Sequence, residues 1–207
     1  MIESSLVPLW FYGLATVTYM FVSVVCFLIA FLALRSYRII SSTSYIHLFF
    51  SFLILGFAFL ALLVPSALTY LYRGLVPSGM NRVNYLGFMT YYTLSLFSYI
   101  ILTLLYLPRK KRELPLIFVP LWYADSTRFH VSSIIMILYV FLRSLLNSLK
   151  KRNRDSYLVS YSFLSLLIFH LLLLLVPFNV RIYVTANVFL LTGFLSLLYM
   201  LLRVRKT

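Results

Sequence analysis

Long apolar runs separated by short basic clusters leave this chain few folds to choose from. Six runs, over residues 10–34, 45–70, 85–107, 131–149, 157–176 and 183–202, come close to or exceed the span of about 20 residues that carries an α-helix across a bilayer. In hydrocarbon every backbone N–H and C=O must be satisfied within its own segment, so runs of this length fold as helices. Hydrophobic residues make up 63% of the chain and charged residues 11%, which makes lipid its solvent. The runs use up most of the chain. The expectation is a single transmembrane domain over residues 1–207, an all-α polytopic helical bundle. The first run lacks a preceding Lys or Arg and an Ala-x-Ala-like end, so it reads as a first span rather than a cleaved signal peptide.

A seventh run, 114–123, is short, and it follows the cluster Arg109, Lys110, Lys111, Arg112, Glu113. Whether it crosses decides the orientation of everything after it. If residues 112–128 cross and the N-terminus is outside, then Arg35, Arg38, Arg109, Lys110, Lys111, Arg112, Arg143, Lys150, Lys151, Arg152, Arg154, Arg203, Arg205 and Lys206 share the inner side. Only Arg73, Arg82, Arg128 and Arg181 then lie outside. If the run does not cross, the basic residues divide almost evenly. Basic residues gather in cytoplasmic loops, so the bias selects seven spans. The alternative is six spans plus a re-entrant or interfacial helix. Trp10 and Trp122 then fall at the outer interface, where amphipathic rings belong. A helix over 112–128 rises about 24 Å, short of the roughly 30 Å hydrocarbon core. Snorkelling by Arg112 and Arg128 or local thinning covers the difference.

An internal repeat points the same way. Ser44-Tyr45-Ile46 and Ser156-Tyr157-Leu158 each open a span, and each span closes twenty residues after its Tyr, at Leu63-Val64-Pro65 and Leu175-Val176-Pro177. The helix before each carries Leu-Arg-Ser, at residues 34–36 and 142–144. Units 9–107 and 129–203, joined by the short span, form a 3+1+3 arrangement in which the linker keeps the units parallel. The layout resembles, in architecture alone, that of the SWEET and PQ-loop transporters. The Pro-Gln pair of those proteins is absent from both units.

Little in the sequence supports chemistry. The acids Glu3, Glu113, Asp125 and Asp155 all fall at interfaces or in loops, so a proton-coupled pump or an intramembrane aspartyl protease is excluded. The last span has no Lys for a retinal Schiff base. Cys26 is alone, which rules out an intrachain disulfide. His47 lies near the inner end of its span and His130 near the outer start of the fifth. His170 sits deep, where a neutral imidazole donates to a carbonyl or hydroxyl of a neighbouring helix; axial ligation of haem by His130 and His170 is the alternative. Polar side chains follow helical spacing at Thr16, Tyr19, Ser23 and Cys26, at Tyr92, Ser95, Tyr99 and Thr103, and at Thr185, Thr192 and Ser196. Such stripes let membrane helices pack and hydrogen-bond. Their functional counterpart is a polar cavity lined by Tyr92, Tyr99, Tyr161, Ser165 and His170.

With no nucleophile–base pair, metal cluster or phosphate loop, the expectation is a non-enzyme without a cofactor. It is a multi-pass protein of the cell membrane, N-terminus outside and C-terminus cytoplasmic. The leading function is an accessory or scaffold subunit of a membrane complex, and the second is a facilitative small-solute carrier. Arg109, Lys110, Lys111, Arg112, Lys150, Lys151, Arg152 and Arg154 would meet anionic headgroups, a partner membrane subunit or an acidic protein. Their placement beside apolar helices argues against nucleic acid as the partner.

Overall fold

The computed structural model describes residues 9–72, 80–107 and 126–204. Among these residues the chain forms six α-helices, all long and apolar enough to cross a membrane: α1 (Leu9–Ile40), α2 (Thr43–Leu71), α3 (Met80–Tyr106), α4 (Ser126–Lys151), α5 (Arg154–Leu175) and α6 (Ile182–Val204). The protein is an all-α, multi-pass membrane protein.

Side-chain contacts set the direction of each helix. Gly13 packs on Tyr70 and Ser23 Oγ donates to the Gly56 carbonyl, so α1 and α2 are antiparallel. Ser51 meets Ser98 while Gly87 meets Pro65, which makes α2 and α3 antiparallel. The pairs His130–His170 and Ser144–Ser160 do the same for α4 and α5, and Leu158–Ser196 with Ser165–Gly193 for α5 and α6. Between α3 and α4 the numbering rises together. Tyr92 stacks on Phe129 with ring centroids 4.4 Å apart, and Tyr99 and Leu102 share a crevice with Met136, Ile137 and Val140. These two helices are therefore parallel. Helices α1, α3, α4 and α6 all begin at one end of the bundle, the near end, and finish at the far end. The first three helices and the last three thus run in the same sense, and they meet along two seams, α3 with α4 and α1 with α6.

Within the first three helices, close approach depends on two glycines. A Cβ on Gly56 would lie 2.7 Å from the Phe27 ring, and one on Gly87 would lie 2.7 Å from Pro65 Cγ and 2.8 Å from the Ala61 carbonyl. Pro65 has no N–H to give its i−4 carbonyl, and that carbonyl is Ala61's. The α3 backbone closes on the freed oxygen at the one position without a side chain in the way.

The turns after α1 and α4 share one design. Ser41 and Arg152 adopt left-handed backbone at φ 52° and 47°, and their N–H groups donate to Tyr37 and Ser148 at 2.7 and 2.8 Å. This is the single 5→1 bond of an αL cap. Ser42 and Asn153 follow as extended N-caps of α2 and α5. Asn153 Oδ1 accepts from the Asp155 N–H, and Asp155 lies in the first turn, where its charge favours the helix dipole.

Several expectations shift. The segment 126–130 is helical and belongs to α4, which starts at Ser126 rather than near Val131. The two left-handed residues, Ser41 and Arg152, stand 111 residues apart, one less than the offset of the Tyr and Pro markers. Pro65 sits inside α2, whereas α5 stops at Leu175, before Pro177. The run 114–123 and the residues Arg109, Lys110, Lys111 and Arg112 lie outside the described residues.

Candidate functional site

Polar groups buried in lipid gain by finding partners on neighbouring helices, and four of the buried serines do so in two pairs. Ser51 and Ser98 clasp reciprocally: their hydroxyls are 2.8 Å apart and each also donates to the other's carbonyl, at 3.1 and 2.9 Å. Ser144 and Ser160 pair at 2.8 Å, with Ser160 donating to the Ser156 carbonyl. These bonds join α2 to α3 and α4 to α5, so each lies within a group of three helices.

The aromatic residues instead bridge the two groups. Tyr183 Oη on α6 donates to Tyr19 Oη on α1 at 2.9 Å. Ring contacts then lead from Tyr19 to Phe59, from Phe59 to Tyr91 and Phe194, and from Tyr91 to Phe129. Phe129 packs on both His130 and His170, and His170 lies edge-on to Tyr99. Every helix contributes at least one ring, and together they fill the middle of the bundle. Beyond Tyr99 toward the far end, the crevice among α3, α4 and α5 is apolar and too tight for a water molecule.

The sharpest constellation lies in the near half. His170 is completely buried. Its Nε2 is 2.9 Å from Tyr99 Oη and its Nδ1 is 3.1 Å from His130 Nδ1. A neutral imidazole has one donor and one acceptor, so the line can be satisfied in two directions. In one, Tyr99 donates to His170 and His170 donates to His130. In the other, His130 donates to His170 and His170 donates to Tyr99. The second frees the Tyr99 hydroxyl proton among Leu102, Met136 and Ile137, where an unmade hydrogen bond costs about 1–3 kcal/mol. The first direction is therefore the stable one for the uncharged line.

The expected cavity residues do not converge. Tyr99 and His170 touch each other, and Tyr92 stacks on Phe129 beside them. Ser165 is buried against Gly193 of α6 instead. Tyr161 is about half exposed on the outer surface, so it lines no interior space; the +4 step to Ser165 does not hold both on the buried face of α5. Nor do His130 and His170 suit a haem. Trans axial ligands stand on opposite faces of a flat macrocycle, whereas these nitrogens lie within hydrogen-bond distance of each other, and Phe129, Phe169 and Tyr99 surround His170. His47 is spent locally, with Nδ1 2.7 Å from the Thr43 carbonyl of its own helix.

The far end of the bundle carries Arg35, Arg38, Arg143, Lys150, Arg152, Arg154 and Arg203, and the near end carries Arg82, Arg128 and Arg181. Lys150, Arg152 and Arg154 are exposed, and Lys151 closes α4. Arg203 Nε lies 3.6 Å from Asp155 Oδ1, joining the end of α6 to the start of α5.

Sequence reasoning missed the Tyr19–Tyr183 bond, the serine clasps and the buried Asn187, whose Nδ2 donates to the Tyr183 carbonyl at 2.8 Å. It also missed the role of Phe129. The run Asp125-Ser126-Thr127 reads as loop by polarity, yet it is what a helix N-terminus uses, and that signal places Phe129 and His130 one turn into α4. Comparison with protein-family models, with curated proteins and with solved structures finds no match to this chain.

Proposed function

We propose that the protein is a non-enzymatic seven-span subunit that acts as an accessory or scaffold component of a membrane complex, its far end cytoplasmic. One observation carries the reading: aromatic and apolar side chains fill the interior, while basic side chains collect at one end. A bundle of this kind offers its surface, and above all Lys150, Arg152 and Arg154, to an acidic partner or to anionic headgroups.

The span count rests on the parallel pairing of α3 and α4. Tyr106 ends α3 at the far end and Ser126 opens α4 at the near end, so the intervening chain joins opposite ends of the bundle. A helix over that interval rises about 28 Å, close to a hydrocarbon thickness. The common direction of the two three-helix groups and their twin αL turns support the parallel repeat. The carrier reading has less behind it, because aromatic rings occupy the place where a solute would sit.

Two experiments test the proposal. A thiol introduced by Ser126→Cys should be labelled from outside the cell by an impermeant reagent; labelling only from the cytoplasmic side would overturn the seven-span topology. Purified in mild detergent from its own membrane, the protein should carry a partner at fixed stoichiometry, and the triple variant K150E/R152E/R154E should lose it. A solitary monomer whose behaviour ignores that variant would overturn the subunit reading.

A further inference from the structure

Side-chain hydrogen bonds tie the first three helices to the last three, and two of them differ sharply in chemistry. One, Tyr19–Tyr183, joins two phenols, whose ordinary ionisation near pH 10 leaves it indifferent to physiological pH. The other, Tyr99–His170, continues into a second imidazole. Histidine is the side chain whose unperturbed charge change falls in the physiological range, and burial moves that change to lower pH.

We propose that His130 and His170 together form a binding site for one proton drawn from the aqueous phase at the near end, and that its uptake reverses the hydrogen bond of Tyr99 from donor to acceptor. The reversal follows from counting protons. In the uncharged line Tyr99 donates to His170 Nε2, His170 Nδ1–H donates to His130 Nδ1, and neither of these nitrogens is free. An added proton is accommodated only if His170 carries hydrogen on Nε2, whichever imidazole bears the charge. In both protonated forms one hydrogen stays between the two Nδ1 atoms and Nε2–H points at Tyr99 Oη. The phenol must then accept, and its own hydrogen turns away. There it faces Leu102, Met136 and Ile137, and the lost bond is offset by the charge-assisted ones that form. A second proton would set two N–H groups against each other across 3.1 Å and break the pair. The site therefore takes one.

His130 lies one turn from the start of α4 and is slightly exposed, whereas His170 is sealed, so the proton enters through His130. The titratable groups packed around the line are phenols and one thiol: Tyr91, Tyr92 and Tyr99 on α3, Tyr19 and Cys26 on α1, and Tyr183 on α6. Arg128, two positions before His130, is exposed on another face of α4. Among the described residues no carboxylate neutralises the added charge. Two imidazoles and a phenol share it, and charge-assisted hydrogen bonds are about twice as strong as neutral ones. Proton uptake thus strengthens the α3–α5 link while leaving the Tyr19–Tyr183 seam unchanged.

The test uses the full chain, labelled with 15N-histidine and 13C-tyrosine, in lipid nanodiscs and titrated from about pH 8 to about pH 3. The expected result is a single protonation event seen at both His130 and His170, with a coincident change in the Tyr99 ring signal and none in Tyr183. Tyr99→Phe keeps the packing and removes a neutral bond from the uncharged line and a stronger charge-assisted one from the protonated line, so proton binding should weaken about tenfold. His130→Gln, which leaves His170 a neutral partner, should abolish the joint event. Separate titration of the two histidines, no titration in this range, or proton binding unchanged by Tyr99→Phe would each overturn the proposal.

Discussion

Replacing Gly87 with alanine probes one of the two closest helix contacts in the bundle. The added methyl would stand 2.7 Å from Pro65 Cγ, 2.8 Å from the Ala61 carbonyl oxygen and 3.2 Å from Pro65 Cδ. Neither neighbour can rotate aside, since one is backbone and the other a closed ring, so α3 must back away from α2. Overpacking of this kind costs about 1–3 kcal/mol. Alanine's better helix propensity offsets about 0.8–1.0 kcal/mol of that, leaving a net loss of about 1 kcal/mol. Pro65→Ala removes two of the three close atoms and restores an N–H for the Ala61 carbonyl. In that background Gly87→Ala should cost less, with a coupling of about 0.5–1 kcal/mol. Gly13→Ala serves as the control. Its methyl would approach only the ring of Tyr70, which is half exposed and free to swing, so stability should hold or rise. Equilibrium unfolding in mixed micelles, driven by SDS and followed by far-ultraviolet circular dichroism, measures the wild type and the four variants. A Gly87→Ala protein as stable as the wild type, or a penalty unchanged by Pro65→Ala, would refute the close-approach account.

The same assay reaches three further expectations. A double-mutant cycle on Ser51→Ala and Ser98→Ala should give a coupling of about 1 kcal/mol, within the range found between membrane helices; a value near zero would mean that the clasp is not made. Ser41→Gly and Arg152→Gly should each stabilise the protein by about 1 kcal/mol, because both positions hold left-handed backbone that glycine adopts without cost, while Ser41→Val should destabilise it. Tyr183→Phe should cost about 0.6 kcal/mol through loss of the bond to Tyr19, and the loss should be the same at every pH between about 5 and 8.

The spans were legible because lipid imposes one rule on every backbone group, and 20-residue apolar runs satisfy it in one way. Helix faces were not legible by the same means. In a soluble bundle the buried stripe is the apolar one, but here the lipid-facing side of α5 is as apolar as the inside, so Tyr161 and Ser165 looked alike. On α6 the stripe through Thr185 and Thr192 drew attention, whereas the buried face runs through Ala186, Leu190 and Leu197. Depth was easier. His170 stood out as the one ionisable group far from an interface, and His130 as its neighbour at the outer side. Their direct contact and the link to Tyr99 span 40 and 71 residues of sequence, and no local spacing encodes contacts of that range.

The bundle uses two kinds of contact for two purposes. Within each group of three helices, hydroxyl clasps and, in the first group, missing Cβ atoms bring backbones together, and such contacts tolerate almost no displacement. Between the groups the contacts are rings on rings and hydrogen bonds at the tips of long side chains, Tyr19–Tyr183 and Tyr99–His170 among them, which can slide and still touch. Motion in this protein should therefore be concentrated at the seams, with each three-helix group moving as a body. Of the two seams, the one through α3 and α4 is the more responsive, since its polar link ends in imidazoles while the other ends in phenols. Protonation of the histidine pair would act on that seam and leave the bond between α1 and α6 unchanged.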